Sequence, residues 1–171
     1  EDEAIFTEAA DAARDAETFN LELILADLEL TERRLERAKK NAKSGDKKYK
    51  REVEMCSALI EHLTDGQPAR TFEFTDDDKD ILVDGGLLTV KPVIYAANMK
   101  EDDFLGGIDE NPFYKEVCEI AASEASGVIS ICAKIEEEIS DMSDEDKLMF
   151  LSDIGLTESG LDRLVKESYS L

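Results

Sequence analysis

Residues 91–101 read Lys91-Pro92-Val93-Ile94-Tyr95-Ala96-Ala97-Asn98-Met99-Lys100-Glu101, and the run Gly127-Val128-Ile129-Ser130-Ile131-Cys132 follows, leading into Ala133-Lys134. Each is a short apolar stretch that stops abruptly at polar or small residues. A continuous apolar run opened by proline is how a strand buried on both faces of a parallel sheet looks. Between the two, Asn111-Pro112 marks a helix start. Asparagine caps the first free amides and proline fits the first turn, so a helix is expected through about Ala122. Strand, helix and strand within about 40 residues predict a βαβ unit with a right-handed crossover. Two further capped helices are expected downstream. One follows Ser143, with Asp146 three residues later, and one starts near Thr157.

Upstream the period changes. Leu21, Ile24, Leu28, Thr31, Leu35, Ala38 and Ala42 step by threes and fours, and so do Tyr49, Val53, Cys56, Ile60 and Leu63. Ser44-Gly45-Asp46 interrupts them, and Gly66 with Pro68 ends the second run. This is the a/d seam of two helices that a short turn forces antiparallel, a coiled-coil hairpin roughly 30 Å long at 1.5 Å per residue. Thr75-Asp76-Asp77-Asp78 then caps a short helix through Leu82. The expected organisation is an acidic strap over 1–19, the hairpin over 20–70 and an α/β region over 71–171.

Composition narrows the class. With 42% hydrophobic and 36% charged residues but only 3 prolines and 9 glycines, a helix-rich globular chain is favoured over a disordered tail or a β-sandwich. No apolar run nears the roughly 20 residues of a membrane span, and Glu1-Asp2-Glu3 is not the start of a signal peptide. The chain is expected to derive from a longer one, since it does not begin with Met. Cys56, Cys118 and Cys132 show no metal-type spacing and fit a reduced, cytoplasmic setting.

The net charge of -22 conceals a strong polarity. Ten of the 20 basic residues fall between Arg33 and Arg51: Arg33, Arg34, Arg37, Lys39, Lys40, Lys43, Lys47, Lys48, Lys50 and Arg51. Only Glu36 and Asp46 oppose them, so this stretch is about +8 and the rest about -30. The cluster sits at the hairpin tip and predicts a contact with nucleic acid through phosphates, ribosomal RNA above all. Tyr49 is nearly the sole aromatic there, so base stacking is not expected. His62 is expected on the surface. The acidic runs Asp76–Asp78 and Glu136–Glu138 read as caps and solvated surface, because consecutive residues diverge on a helix.

The chemistry lies where the strands end, since open parallel sheets bind ligands beyond their carboxyl edge. G domains hold the base there, using Asn-Lys-x-Asp after one strand and Ser-Ala-Lys after the next. This chain has Asn98-Met99-Lys100-Glu101 and Cys132-Ala133-Lys134. Together with Leu21-Glu22-Leu23-Ile24-Leu25-Ala26-Asp27-Leu28-Glu29, Lys91–Asn98, Ile131–Glu136 and Gly155-Leu156-Thr157-Glu158-Ser159-Gly160-Leu161-Asp162-Arg163-Leu164, these segments resemble the YchF / Obg-like ATPase family. The resemblance runs in order over most of 14–169, with a coiled-coil hairpin in the same place.

That resemblance implies the rear part of a P-loop NTPase G domain carrying an inserted hairpin, in a parent that hydrolyses ATP in preference to GTP near the ribosome. It implies base and ribose contacts from Asn98, Met99, Glu101, Cys132, Ala133 and Lys134. Glu101 is one methylene too long for the position from which Asp reads guanine, whereas an amide such as Asn98 pairs with adenine. Cys132 stands where the family commonly has Ser, and its thiol is the weaker donor. No Gly-x-x-x-x-Gly-Lys-Ser/Thr loop occurs in the sequence, so the phosphate cradle, the Mg²⁺ ligands of Mg-ATP and a later TGS domain are expected outside this chain. Catalysis is therefore not assigned to these residues alone. The rival reading is a non-catalytic RNA- or protein-binding hairpin supported by a degenerate G-domain fragment. A true GTPase is disfavoured by the lack of Asp at position 101.

Overall fold

The computed structural model describes residues 12–83 and 86–170, which fall into two compact units, Arg14–Pro92 and a second made of Val93 onward with Ala12 and Ala13. In the first, helix α1 (Ala12–Ala42) and helix α2 (Lys47–Thr64) are joined by a turn in which Gly45 takes φ 85°. That left-handed conformation is cheap only for glycine. Asp46 then caps α2 by accepting from Lys48 N. The expected strap over 1–19 is, from Ala12, already part of α1; residues 1–11 lie outside the described residues. At 31 residues α1 is about 46 Å long, well beyond the expected rod.

The core of this unit joins Ile24 of α1 to Met55, Cys56, Leu59 and Leu63 of α2, with Ala69 and Leu87 from beyond the hairpin. The seam is therefore wider than a coiled coil's. Met55 and Leu59 are buried although they lie off the predicted a/d positions, while Leu21 is 50% exposed. The cause is a third layer. Phe72, Phe74, Leu87 and Val90 pack on the same core, so α2 buries more than the narrow stripe a two-helix seam needs. The compact unit that contains the two helices extends to Pro92.

Polar anchors hold that layer. The buried Asp27 carboxylate accepts from Leu88 N and Thr89 N, both at 2.7 Å, and from Thr89 Oγ1 at 2.6 Å. Helix α3 (Asp76–Val83) is tied to α2 by Arg51, which donates to both Asp78 oxygens at 3.0 and 2.8 Å. Burial pushes the Asp78 carboxyl up, but the Arg51 guanidinium and the Thr75 donors outweigh it and hold it below the usual carboxylate range. His62 is half-buried rather than on the surface, with Nε2 2.9 Å from Thr71 Oγ1 and its ring edge-on to Phe72. Burial raises the Cys56 thiol to about 11. At neutral pH it should resist iodoacetamide until the unit unfolds, while the half-buried Cys118 is labelled first, as mass spectrometry of the native chain will check.

In the second unit β1 (Ile94–Asn98) and β2 (Gly127–Ile131) pair in parallel, Ile94 opposite Gly127 and Asn98 opposite Ile131. The connection passes through α4 (Glu101–Gly106) and α5 (Pro112–Ser123), the latter capped by Asn111 as expected. Helices α6 (Ala133–Ser140), α7 (Asp144–Asp153, capped by Ser143) and α8 (Gly160–Ser170) complete it. β1 is not fully buried, contrary to expectation: Ala96 and Asn98 are exposed, because among the described residues the sheet has two strands and β1 has one neighbour. Helix α8 seats closely on β2. A Cβ at Gly160 would stand 2.8 Å from Ile131 Cγ2, so only glycine fits, and Gly160 N donates to Glu136 Oε1 at 2.6 Å. Arg163 fastens the same contact by donating to Ser130 O and Oγ. Cys132, Ile135, Ile139 and Leu151 form the core beneath.

Candidate functional site

The carboxyl ends of β1 and β2 are joined by three bonds. Met99 N donates to Ile131 O at 2.7 Å, extending the strand pairing by one residue. Asn98 Oδ1 accepts from Ala133 N at 3.1 Å, so the amide side chain of one loop holds the backbone of the other. Lys134 Nζ donates to Glu101 Oε2 at 2.9 Å, which ties the start of α6 to the start of α4. The Glu101 carboxylate raises the Lys134 ammonium above its ordinary value. Both side chains are substantially exposed, so this ion pair positions more than it stabilises.

Together these residues border an open cleft of about 560 Å³, lined by all six positions singled out from the sequence: Asn98, Met99, Glu101, Cys132, Ala133 and Lys134. With its Oδ1 engaged by Ala133, Asn98 keeps both Nδ2 hydrogens for a ligand. Cys132 is buried at the amino end of α6 and makes no side-chain capping bond. The cleft thus presents an amide donor and a carboxylate at the ends of two adjacent parallel strands.

The basic residues separate into two groups. Arg34 is paired with Glu52 at 2.7 Å and Arg51 with Asp78 at 2.8 Å, so these two serve the unit's own packing rather than a free tip. Arg33 reaches Glu29 at 3.7 Å and Lys39 reaches Glu36 at 3.3 Å, both on the exposed helix surface. Arg37, Lys40, Lys43, Lys47, Lys48 and Lys50 are exposed and make no ion pair among the described residues. The last five flank the Gly45 turn.

No protein-family model matches the chain. Among curated proteins, the ribosome-binding ATPase YchF of Bacillus subtilis is 45% identical over 161 residues, covering 94% of this chain and 44% of that protein. The protein of the same name from Escherichia coli O157:H7 is 37% identical over 159 residues. A solved structure of the Schizosaccharomyces pombe YchF GTPase superposes with a TM-score of 0.82 at 26% identity, covering 99% of this chain and 47% of that one. Over this length the chain belongs to the YchF family.

The chain spans less than half the length of these relatives. The S. pombe YchF match extends over both units, so it covers the parallel strand pair as well as the two long helices. Among the described residues, no helix is long and apolar enough to cross a membrane, and no group of three or more His, Cys, Asp or Glu could hold a metal ion. Sequence reasoning missed the Glu101–Lys134 pair that closes one side of the cleft. The opposite charges of two residues already singled out were the available signal. It also missed Asp27, whose place among apolar seam residues was the only hint.

Proposed function

We propose that this chain supplies the base-reading part of a nucleotide-binding domain, together with a hairpin that directs the parent protein to the ribosome through its basic tip. The observation that carries the reading is the Asn98–Ala133 bond, which builds one cleft from two strand ends where an open parallel sheet places its ligands. The curated relatives, named ribosome-binding ATPases, support the same assignment. ATP is preferred over GTP. Both purines offer N7 to the Asn98 amide, but adenine presents an amino donor where guanine presents a carbonyl acceptor. A Glu101 carboxylate held at this rim by Lys134 accepts from the amino group and repels the carbonyl. Mg²⁺ accompanies the phosphates and takes its ligands outside this chain. The parent acts in the cytoplasm as an ATPase.

Nuclear magnetic resonance titration of this chain tests the assignment. With no phosphate-binding loop in the sequence, base contacts alone offset little of the cost of association, so ATP should bind at about millimolar or weaker. ATP should move the amides of Met99, Ala133 and Lys134 more than equal GTP does. Micromolar ATP affinity, equal shifts with GTP, or shifts confined to other residues would count against it.

A further inference from the structure

A second cleft, of about 340 Å³, opens between α1 and α2 below the Gly45 turn. That is within the range of about 300–1,000 Å³ in which proteins hold small ligands. Its apolar floor is Leu30 and the buried Ala38, and half-buried Tyr49 lines it from α2. Arg34, Arg37, Asn41 and Glu52 supply its polar lining. The Arg34 and Glu52 side chains are only 24% and 15% exposed, and their ion pair fixes them and cancels their charges. Arg37 is exposed and unpaired among the described residues, so the cleft remains positive, with Lys40, Lys43, Lys47, Lys48 and Lys50 close by along the two helices. A tip built only for charge has no use for such a hollow. An aromatic ring, an apolar floor, an amide and a carboxylate add hydrogen-bonding and stacking capacity that a phosphate does not use.

Resting on the tip reading above, we infer that this cleft receives one unpaired nucleotide of an RNA. The base lies against Tyr49 and Ala38 at the turn end of the cleft, its edge meets Asn41, and Arg37 takes the adjoining phosphate. Proteins read RNA where bases are unpaired and free to stack on aromatic rings or guanidinium planes. An acidic peptide suits the cleft less well, because its carboxylates would use Arg37 but leave the face of Tyr49 without a planar partner. Tyr49 is the sole aromatic near the turn, and the fold places it in this cleft.

The test uses this chain and two labelled RNA hairpins that differ by one bulged nucleotide, with affinity read by fluorescence anisotropy. The wild type should prefer the bulged RNA by about tenfold. Tyr49→Phe should keep that preference. Tyr49→Leu, which leaves every charge in place, should reduce the bulged RNA to the affinity of the paired one. Arg37→Gln should lower the salt slope for the bulged RNA by about 1. Circular dichroism confirms that each variant stays helical. Equal wild-type affinity for both RNAs, or a preference that survives Tyr49→Leu, overturns the cleft while leaving the charged tip standing. Binding to neither RNA overturns the tip reading itself. Displacement of both RNAs by polyglutamate at matched ionic strength, with no preference for the bulge, overturns the RNA assignment in favour of an acidic protein partner.

Discussion

Reversing Lys40, Lys43, Lys47 and Lys48 to Glu is expected to abolish co-sedimentation of this chain with ribosomes at low and moderate salt. All four side chains are exposed and flank the Gly45 turn. The chain as a whole carries -22, so a polyanion repels most of its surface and attraction is concentrated at one end. Association should therefore be steeply salt-dependent in the wild type, each neutralised phosphate adding about 0.7 to 0.9 to the log–log slope. The fold should survive, because none of the four touches the Ile24–Leu63 core or the Asp27 and Asp78 anchors. Arg34 and Arg51 are unsuitable targets for the same reason inverted, since their loss would unpair the part-buried Glu52 and Asp78. Equal sedimentation of the reversed and wild-type chains would leave the basic tip as a solvated surface with no part in ribosome binding.

Asp27→Ala should destabilise the Arg14–Pro92 unit by about 3–5 kcal/mol, read as a lowered urea midpoint at unchanged slope. Hydrogen bonds to a charged acceptor contribute about 1.5–3 kcal/mol each and a buried donor left without its acceptor bears the desolvation penalty, while removing the carboxylate relieves its own burial cost of several kcal/mol. Asp27 serves three donors at once, two of them backbone amides that no rotamer change can redirect. Thr89 passes the anchor on, because its Oγ1 also accepts from Ala69 N while its carbonyl accepts from Arg70 N. One carboxylate thus links α1 to two segments more than 40 residues further along the chain. Asp27→Asn should be nearly as damaging, since one amide oxygen replaces two acceptors and the NH₂ faces donors. A loss below about 1 kcal/mol for either variant would show that the 69–90 layer is held by its apolar contacts alone.

Sequence alone determined the elements whose signals are local. The apolar runs marked β1 and β2, Asn111 and Ser143 marked the starts of α5 and α7, and Gly45 marked the hairpin turn, because caps, turns and periodicity act over a few residues. The cleft's lining was legible for the same reason: each of its two segments follows a strand, and the parallel pairing brings their ends together. The short helix α4 escaped, since six residues carry little periodicity. What tertiary structure alone decided is partnership. Nothing local distinguishes Asp27 from any acid on a helix, or Arg34 and Arg51 from the lysines beside them. The third layer that turned a narrow seam into a broad core is invisible in the helical period of α1 and α2. Charge and helical phase are properties of a residue and its neighbours in sequence, whereas burial and pairing depend on groups 18 to 62 positions away, which only the folded chain brings within hydrogen-bonding distance.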